Sequence, residues 1–326
     1  MSKPLSGAAF MAALGFAHAL AEGSLSLTVG VQESGTVQWE IETIKTLGLD
    51  GDRDLFLDIR YVADSRAGQI ALQTGAVDVI LSDFVWVSAQ RSLGNMLTLV
   101  PHSLTVGGLM VPADSNIETV EDLEGETIGV AGGPADKSWI ILQALYESRT
   151  GKSLTEDAEA RFGAPPLINE LLGSGGVAAG LNFWQWNARA KAAEMAEIIS
   201  VKTMLDELGI AEQPPLLGWT FTEDTASGKT EAITAFLDAS FAAKSVLLNE
   251  DDVWTGLQEL MGAAGDQPLF VQLRDDYREG IVTSYDPDDV SAAAKTFALL
   301  GQYGGNDVVG ESPHLAPGTF WKGYRK

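Results

Sequence analysis

A pattern that recurs after about 100 residues constrains this chain more than any other feature, because such a repeat obliges it to build one folding unit twice. Gly75 to Trp86 reads GAVDVILSDFVW, and Gly175 to Trp186 reads GGVAAGLNFWQW. The glycines, Val77 with Val177, Leu81 with Leu181, and Trp86 with Trp186 fall at one offset. Each stretch follows a short helical segment, Ala67 to Thr74 and Leu167 to Ser174. Upstream, Thr28-Val29-Gly30-Val31 corresponds to Thr127-Ile128-Gly129-Val130 at an offset of 99, and each opens into a small-residue loop and an amphipathic helix. A unit of strand, helix, strand, helix, strand, helix thus occurs twice. Leu27 to Val31 and Val77 to Leu81 are short and apolar, as strands buried on both faces of a parallel sheet are. The expected fold class is α/β, with two parallel lobes. Coincidence between two β–α units would account for one matching stretch, but not for several elements in the same order.

The chain has 326 residues, 45% hydrophobic and 20% charged, enough for two compact lobes without cross-links. Its 45 acidic residues against 21 Lys and Arg give a net charge of -24, which repels phosphate backbones and anionic membrane surfaces. No nucleic-acid partner is expected. The acidity favours a soluble monomer, but it says nothing of a ligand, since a few residues set the charge of a small cleft.

The first residues read as a signal peptide, residues 1–21: Lys3 as a minimal basic region, an apolar stretch from Leu5 to Leu20, and Ala19-Leu20-Ala21 as a small-x-small cleavage site. An N-terminal anchor helix is the alternative, but the stretch is short for a bilayer and contains His18. The sequence has no cysteine, which excludes both a lipid anchor at the cleavage site and disulfide bonds. A free periplasmic protein fits both. No later segment is long and apolar enough to span a membrane.

Beyond the second unit, Gly218 to Phe221 reads as another strand, and helices are expected over Glu231–Asn249, Asp251–Met261, Gln267–Arg278 and Asp288–Leu300. Asp251, Asp252, Asp288 and Asp289 stand at helix starts, where acidic residues suit the dipole, so they read as caps or solvated charges rather than metal ligands.

Several of these segments resemble the periplasmic solute-binding proteins of nitrate, sulfonate and taurine ABC importers, which are related to binders of thiamine-pyrimidine precursors. The residues are Val29-Gly30-Val31-Gln32-Glu33-Ser34-Gly35, then Gly75-Ala76-Val77-Asp78, then Val120 to Val130, and Ala235-Phe236-Leu237-Asp238-Ala239. Each motif is loose, but their order is specific, and the resemblance spans residues 25 to 260. It implies a type II periplasmic binding protein fold: lobe I from residues 23–112 and 218–326, lobe II from 113–217, two crossovers, and a small-molecule ligand in the cleft between them. It also implies an ABC transporter permease as partner, and no cofactor or metal. One departure is Ala178, where the second copy of the repeat would carry an aspartate.

Ligands of open parallel sheets bind at the carboxyl ends of strands, which nominates four loops. The first carries Glu33, Ser34 and Gly35 and leads to Trp39, which lies off the apolar stripe Val37, Ile41 and Ile44 and is placed either to face a cleft or to cover neighbouring surface. The second holds Ser82 and Asp83 and ends in Trp86; Asp83 either caps the next helix or meets a ligand donor. The third runs from Gly132 through Gly133 to Asp136, Lys137 and Ser138. Its amides and Lys137 suit an anion unless Asp136 caps them, and it lacks the preceding glycine of a P-loop. The fourth spans Asn182 to Asn187, where Trp184 and Trp186 share a face if extended and diverge if a helix has begun; an aromatic platform and ordinary core are both open. Trp, Asp, Glu, amides and one Lys suit a small zwitterion, amine or aromatic better than a dianion.

No enzyme is expected. Desulfinase relatives use a nucleophilic cysteine, and this chain has none; relatives that make thiamine pyrimidine use pyridoxal phosphate and a histidine, whereas His102 and His314 lie outside the four loops. A periplasmic accessory of an oxidoreductase is the rival reading. It would use the tail from Gly304 to Trp321 as a docking surface, against the expectation that its aromatics fold back onto a lobe.

Overall fold

A computed structural model describes residues 25–326, so the expected signal peptide lies outside the described residues. The first alternation is β1 (Leu25–Gln32), α1 (Val37–Thr46), β2 (Leu55–Val62), α2 (Ser65–Gln73), β3 (Val79–Asp83) and α3 (Phe84–Ser92), followed by β4 (Leu97–Ser103). The chain then crosses to β5 (Gly108–Val111) and repeats the alternation as β6 (Thr127–Ala131), α4 (Lys137–Thr150), α5 (Leu154–Asp157), β7 (Glu159–Gly163), α6 (Pro165–Gly173), β8 (Ala179–Asn182) and α7 (Trp184–Ala192), with β9 (Ala196–Ser200) and α8 (Val201–Glu207) after it. It returns as β10 (Leu217–Thr222), α9 (Glu223–Gly228), α10 (Thr230–Asn249), α11 (Asp252–Thr255), α12 (Gln267–Glu279), α13 (Pro287–Gly304) and α14 (Asn306–Val309).

Among the described residues two five-stranded sheets form, ordered β2-β1-β3-β10-β4 and β7-β6-β8-β5-β9. They match position by position. Four strands run one way and one runs against them, β10 in the first sheet and β5 in the second. Each antiparallel strand is delivered by chain that has just crossed from the other lobe. The expected boundary after residue 112 therefore falls earlier, between Ser103 and Gly108, because β5 pairs with β8 and β9 and not with β4.

The repeat has a packing cause. A Cβ on Gly30 would come within 3.4 Å of Val77, and one on Gly129 within 3.2 Å of Val177, so the same close approach of strand to strand is built twice. Gly75 and Gly175 adopt φ of 73° and 74°, a turn that costs an L side chain energy and glycine little. The departure at Ala178 is also local. Asp78 accepts from the Thr28 amide at 2.8 Å and pairs with Lys229 at 2.7 Å, tying the start of α10 to the first sheet. Ala178 keeps only the backbone bond, its amide donating to the Thr127 carbonyl.

The segment after β10 serves both lobes. α10 packs on α1 and α14 on α3, but α12 lies on α7 and α13 on α4. The helix expected over Asp251–Met261 shrinks to α11, since Gly256 caps it and the buried Trp254 folds the chain back by donating Nε1 to the Leu247 carbonyl. α13 starts one residue before the expected Asp288, with Asp286 and Asp289 forming a capping box. The tail folds back as expected: Leu99 donates to Thr319 and Trp321 to Leu99, so Phe320 lies along β4 and covers the edge of the first sheet.

A polar knot sits inside the first lobe. Glu40 of α1 is fully buried and meets Lys244 of α10 at 2.9 Å; Ser240 donates to Glu40, accepts from Lys244 and from Trp219 Nε1, and His102 Nδ1 lies 3.2 Å from the Lys244 ammonium. Burial lowers the pKa of Lys244 against the pull of Glu40, and burial together with Lys244 holds His102 well below its ordinary value.

Lys244→Met alone would leave Glu40 buried without a counter-charge and should cost about 3–5 kcal/mol in urea unfolding, most of it recovered by adding Glu40→Gln. Unfolding should also report His102. The unfolded imidazole takes a proton below about pH 6.5 and the folded one does not, so its contribution is complete above that pH and falls as pH drops. His102→Gln should flatten the decline of melting temperature between about pH 7.5 and 5.5.

Candidate functional site

The carboxyl ends of β1, β3, β6 and β8 lead into α1, α3, α4 and α7, and these four helix starts converge from the two lobes onto one cleft. Two contacts join helix starts of opposite lobes across it. At one end Lys137 of α4 reaches Asp83 at 3.1 Å, with side chains 33% and 20% exposed. At the other, Trp39 of α1 meets Trp184 of α7 edge-on, ring centroids 5.8 Å apart.

The four starts differ in how their amides are used. Asp83 caps α3 through Trp86 N, and Asp136 caps α4 through Ser138 N and Trp139 N. The amides nominated for an anion at the third loop are thus already occupied, and burial raises the pKa of Asp136. Asp83, beside Lys137, raises the lysine's pKa above its ordinary value. The starts of α1 and α7 have no side-chain cap; the Gln38 and Trp39 amides donate back to the Gly35 and Thr36 carbonyls and the Trp186 amide to the Phe183 carbonyl, so no carboxylate offsets the positive end of either dipole there.

Trp39 does not line open space. It is buried against Trp184, Trp254 and Tyr277, with centroids at 5.8, 6.1 and 5.4 Å. The last two residues come from the C-terminal segment, whose position no local pattern around Trp39 reveals. Burial pushes the Tyr277 hydroxyl well above its ordinary pKa, with Glu40 adding to the shift. The helix begins at Trp184, so the two indoles of the fourth loop diverge: Trp184 joins this cluster, and Trp186 lies against the Arg189 guanidinium at 5.1 Å. Trp86 is half-buried on the larger core.

The remaining nominated residues divide between lining and support. Glu33 and Ser34 are exposed, Gly35 half-buried, and Gln38 holds this loop by donating to the carbonyls of Gln32 and Glu33. Gly133 and Ser138 are half-buried beside Lys137, and Ser82 is buried under Asp83. Asn182 is buried and fully used, bonding Asn169, the Pro165 carbonyl and the Phe183 amide, so it shapes the fourth loop from beneath. Sequence reasoning missed Phe183, 37% exposed at the α7 start, and Tyr277. At the crossovers a cavity of about 110 Å³ is lined by Leu104, Thr105, Trp184, Asn187, Lys191 and Gln213.

Two doubly wound lobes with facing strand ends define the periplasmic binding protein fold. The chain belongs to the NMT1/THI5-like family, whose model matches residues 51–252. It is similar to the periplasmic aliphatic sulphonate binding protein SsuA of Escherichia coli at 16% identity, TM-score 0.73, covering 91% of this chain and 98% of that one. The alkanesulfonate-binding protein SsuA of Xanthomonas axonopodis pv. citri, bound to MOPS, gives 16% identity, TM-score 0.67 and the same coverage. The desulfurization enzyme DSZB aligns at 15% identity and TM-score 0.56, over 86% of this chain and 92% of that one. No curated protein sequence matches the chain.

Truncation separates the two tryptophan environments. Trp39→Ala should destabilise the unliganded protein by about 3–5 kcal/mol, and Trp186→Ala by about 1 kcal/mol or less, read from chemical unfolding.

Proposed function

We propose that this protein is the solute-binding component of an ABC importer: exported with residues 1–21 removed, it closes over a small organic solute in the interlobe cleft and delivers it to a membrane permease. The observation that carries this reading is the convergence of four helix starts from two lobes, two of them without a side-chain cap, on a cleft bridged by the Asp83–Lys137 ion pair and the Trp39–Trp184 indole pair. Glu33, Ser34, Gly35, Ser82, Asp83, Trp86, Gly133, Lys137, Ser138, Trp184 and Trp186 form or flank the ligand's surroundings in this reading, while Trp39 and Asn182 hold the walls.

Family membership supports the same role. A binding function also suits the chemistry present. Of the two histidines among the described residues, His102 is buried in the polar knot and His314 lies on the C-terminal tail. Neither stands at a helix start of the cleft, so no histidine is presented to a guest there. The folded-back tail favours its strapping role over a docking surface for an oxidoreductase. Among the described residues no helix is long and apolar enough to cross a membrane.

Thermal denaturation against sulfonates, amines, amino acids, alcohols and pyrimidines tests the proposal. A true ligand at 100 times its Kd should add about 2.7 kcal/mol and raise the melting temperature by several degrees. Silence across the panel, with stable co-purification of an enzyme, would replace this reading with the accessory role.

A further inference from the structure

The ion pair across the cleft narrows the chemistry of the solute. Asp83 and Lys137 come from opposite lobes, and each is fixed by its own helix. Asp83 Oδ1 accepts from the Trp86 amide, which leaves Oδ2 as the oxygen that faces Lys137. The Lys137 ammonium, with three donors, has only that one partner among the described residues. Both side chains are partly exposed, so a guest can reach them. At this helix start the positive group offered is the ammonium alone, since Asp136 holds the Ser138 and Trp139 amides.

Opening the lobes separates the two charges, and closing them on a guest withdraws both from water. A monoanion would satisfy Lys137 but leave Asp83 Oδ2 without its donor and beside a like charge. A monocation would do the reverse. A solute with an ammonium and an acid group on one short skeleton replaces both halves of the broken pair. We propose that Asp83 and Lys137 read the two charges of a small zwitterion, Asp83 taking its amine and Lys137 its acid group, so that the ion pair stands in for the solute when the cleft is empty. This rests on the solute-binding reading above and names the class of solute for that same cleft.

The test measures binding by calorimetry to matched sets: 3-aminopropanoate with propanoate and propylamine, 4-aminobutanoate with butanoate and butylamine, and 2-aminoethanesulfonate with ethanesulfonate and ethylamine, beside α-amino acids and betaines. At least one zwitterion should bind tenfold or more tighter than either of its halves. Asp83→Asn keeps a capping side chain for Trp86, so it should lower zwitterion affinity at least tenfold while leaving the acid half unchanged or tighter. Lys137→Gln should weaken the zwitterion and the acid half alike. Asp83→Ser, a second cap without charge, guards against misfolding of the first variant, and unliganded melting temperatures report whether each variant is folded.

Binding of singly charged or neutral solutes alone overturns the inference but leaves the solute-binding reading standing. So does zwitterion affinity that is untouched by Asp83→Asn, which would make the pair a latch only. Failure of every compound in this and the wider panel overturns both.

Discussion

The exchange of one strand between lobes is the constraint on which the rest of the structure depends. β10 completes the first sheet only after the chain has built the second lobe, and β5 completes the second with the first residues after the outward crossing. Both strands run antiparallel to their neighbours because they arrive from the far side. This reciprocity places the two crossovers side by side, sets the lobes with their strand ends face to face, and fixes which helix starts meet. Lys137 opposes Asp83, and Trp39 opposes Trp184, as results of topology rather than of local sequence preference.

The acidity of the chain has a local use within this frame. Asp64, Asp83, Asp136, Asp266 and Asp286 each accept a backbone amide at the start of a helix, so part of the negative charge is spent on satisfying helix ends. At the cleft this has an electrostatic consequence. Two of the four helix starts carry an aspartate cap and two do not, so the wall offers discrete charges at one end and uncapped helix ends and indoles at the other. The capping bond also pins the Asp83 carboxylate, so a partner that meets its free oxygen orders little that was mobile.

The duplicated unit was legible because its cause is local. Gly30 and Gly129 touch Val77 and Val177, and Gly75 and Gly175 make the same left-handed turn, so steric need wrote the same letters twice. The caps Asp83 and Asp136 were legible for the same reason, since each acts within three residues of itself. The surroundings of Trp39 were not, because Trp254 and Tyr277 arrive from helices more than two hundred residues away, and a helical stripe names buried faces without naming what buries them. The edge of the second lobe escaped for a related reason. The apolar run of β5 suits either sheet, and only its partners decide between them.

Strand exchange also bears on how the chain acquires its shape. Until Leu217 to Thr222 is available, β3 and β4 have no partner between them, and the first sheet lacks the strand that carries Trp219 and Phe221 into its core. The first lobe is therefore not an independent folding unit, although its residues come first. Its closure waits on contacts of long sequence separation, the kind that slows folding, and a chain made or moved from its N-terminus stays incomplete until most of its length is free. The topology that builds the cleft thus works as a timer on the native state: the second sheet, drawn from residues 108–200 alone, can close first, and the first sheet waits for β10.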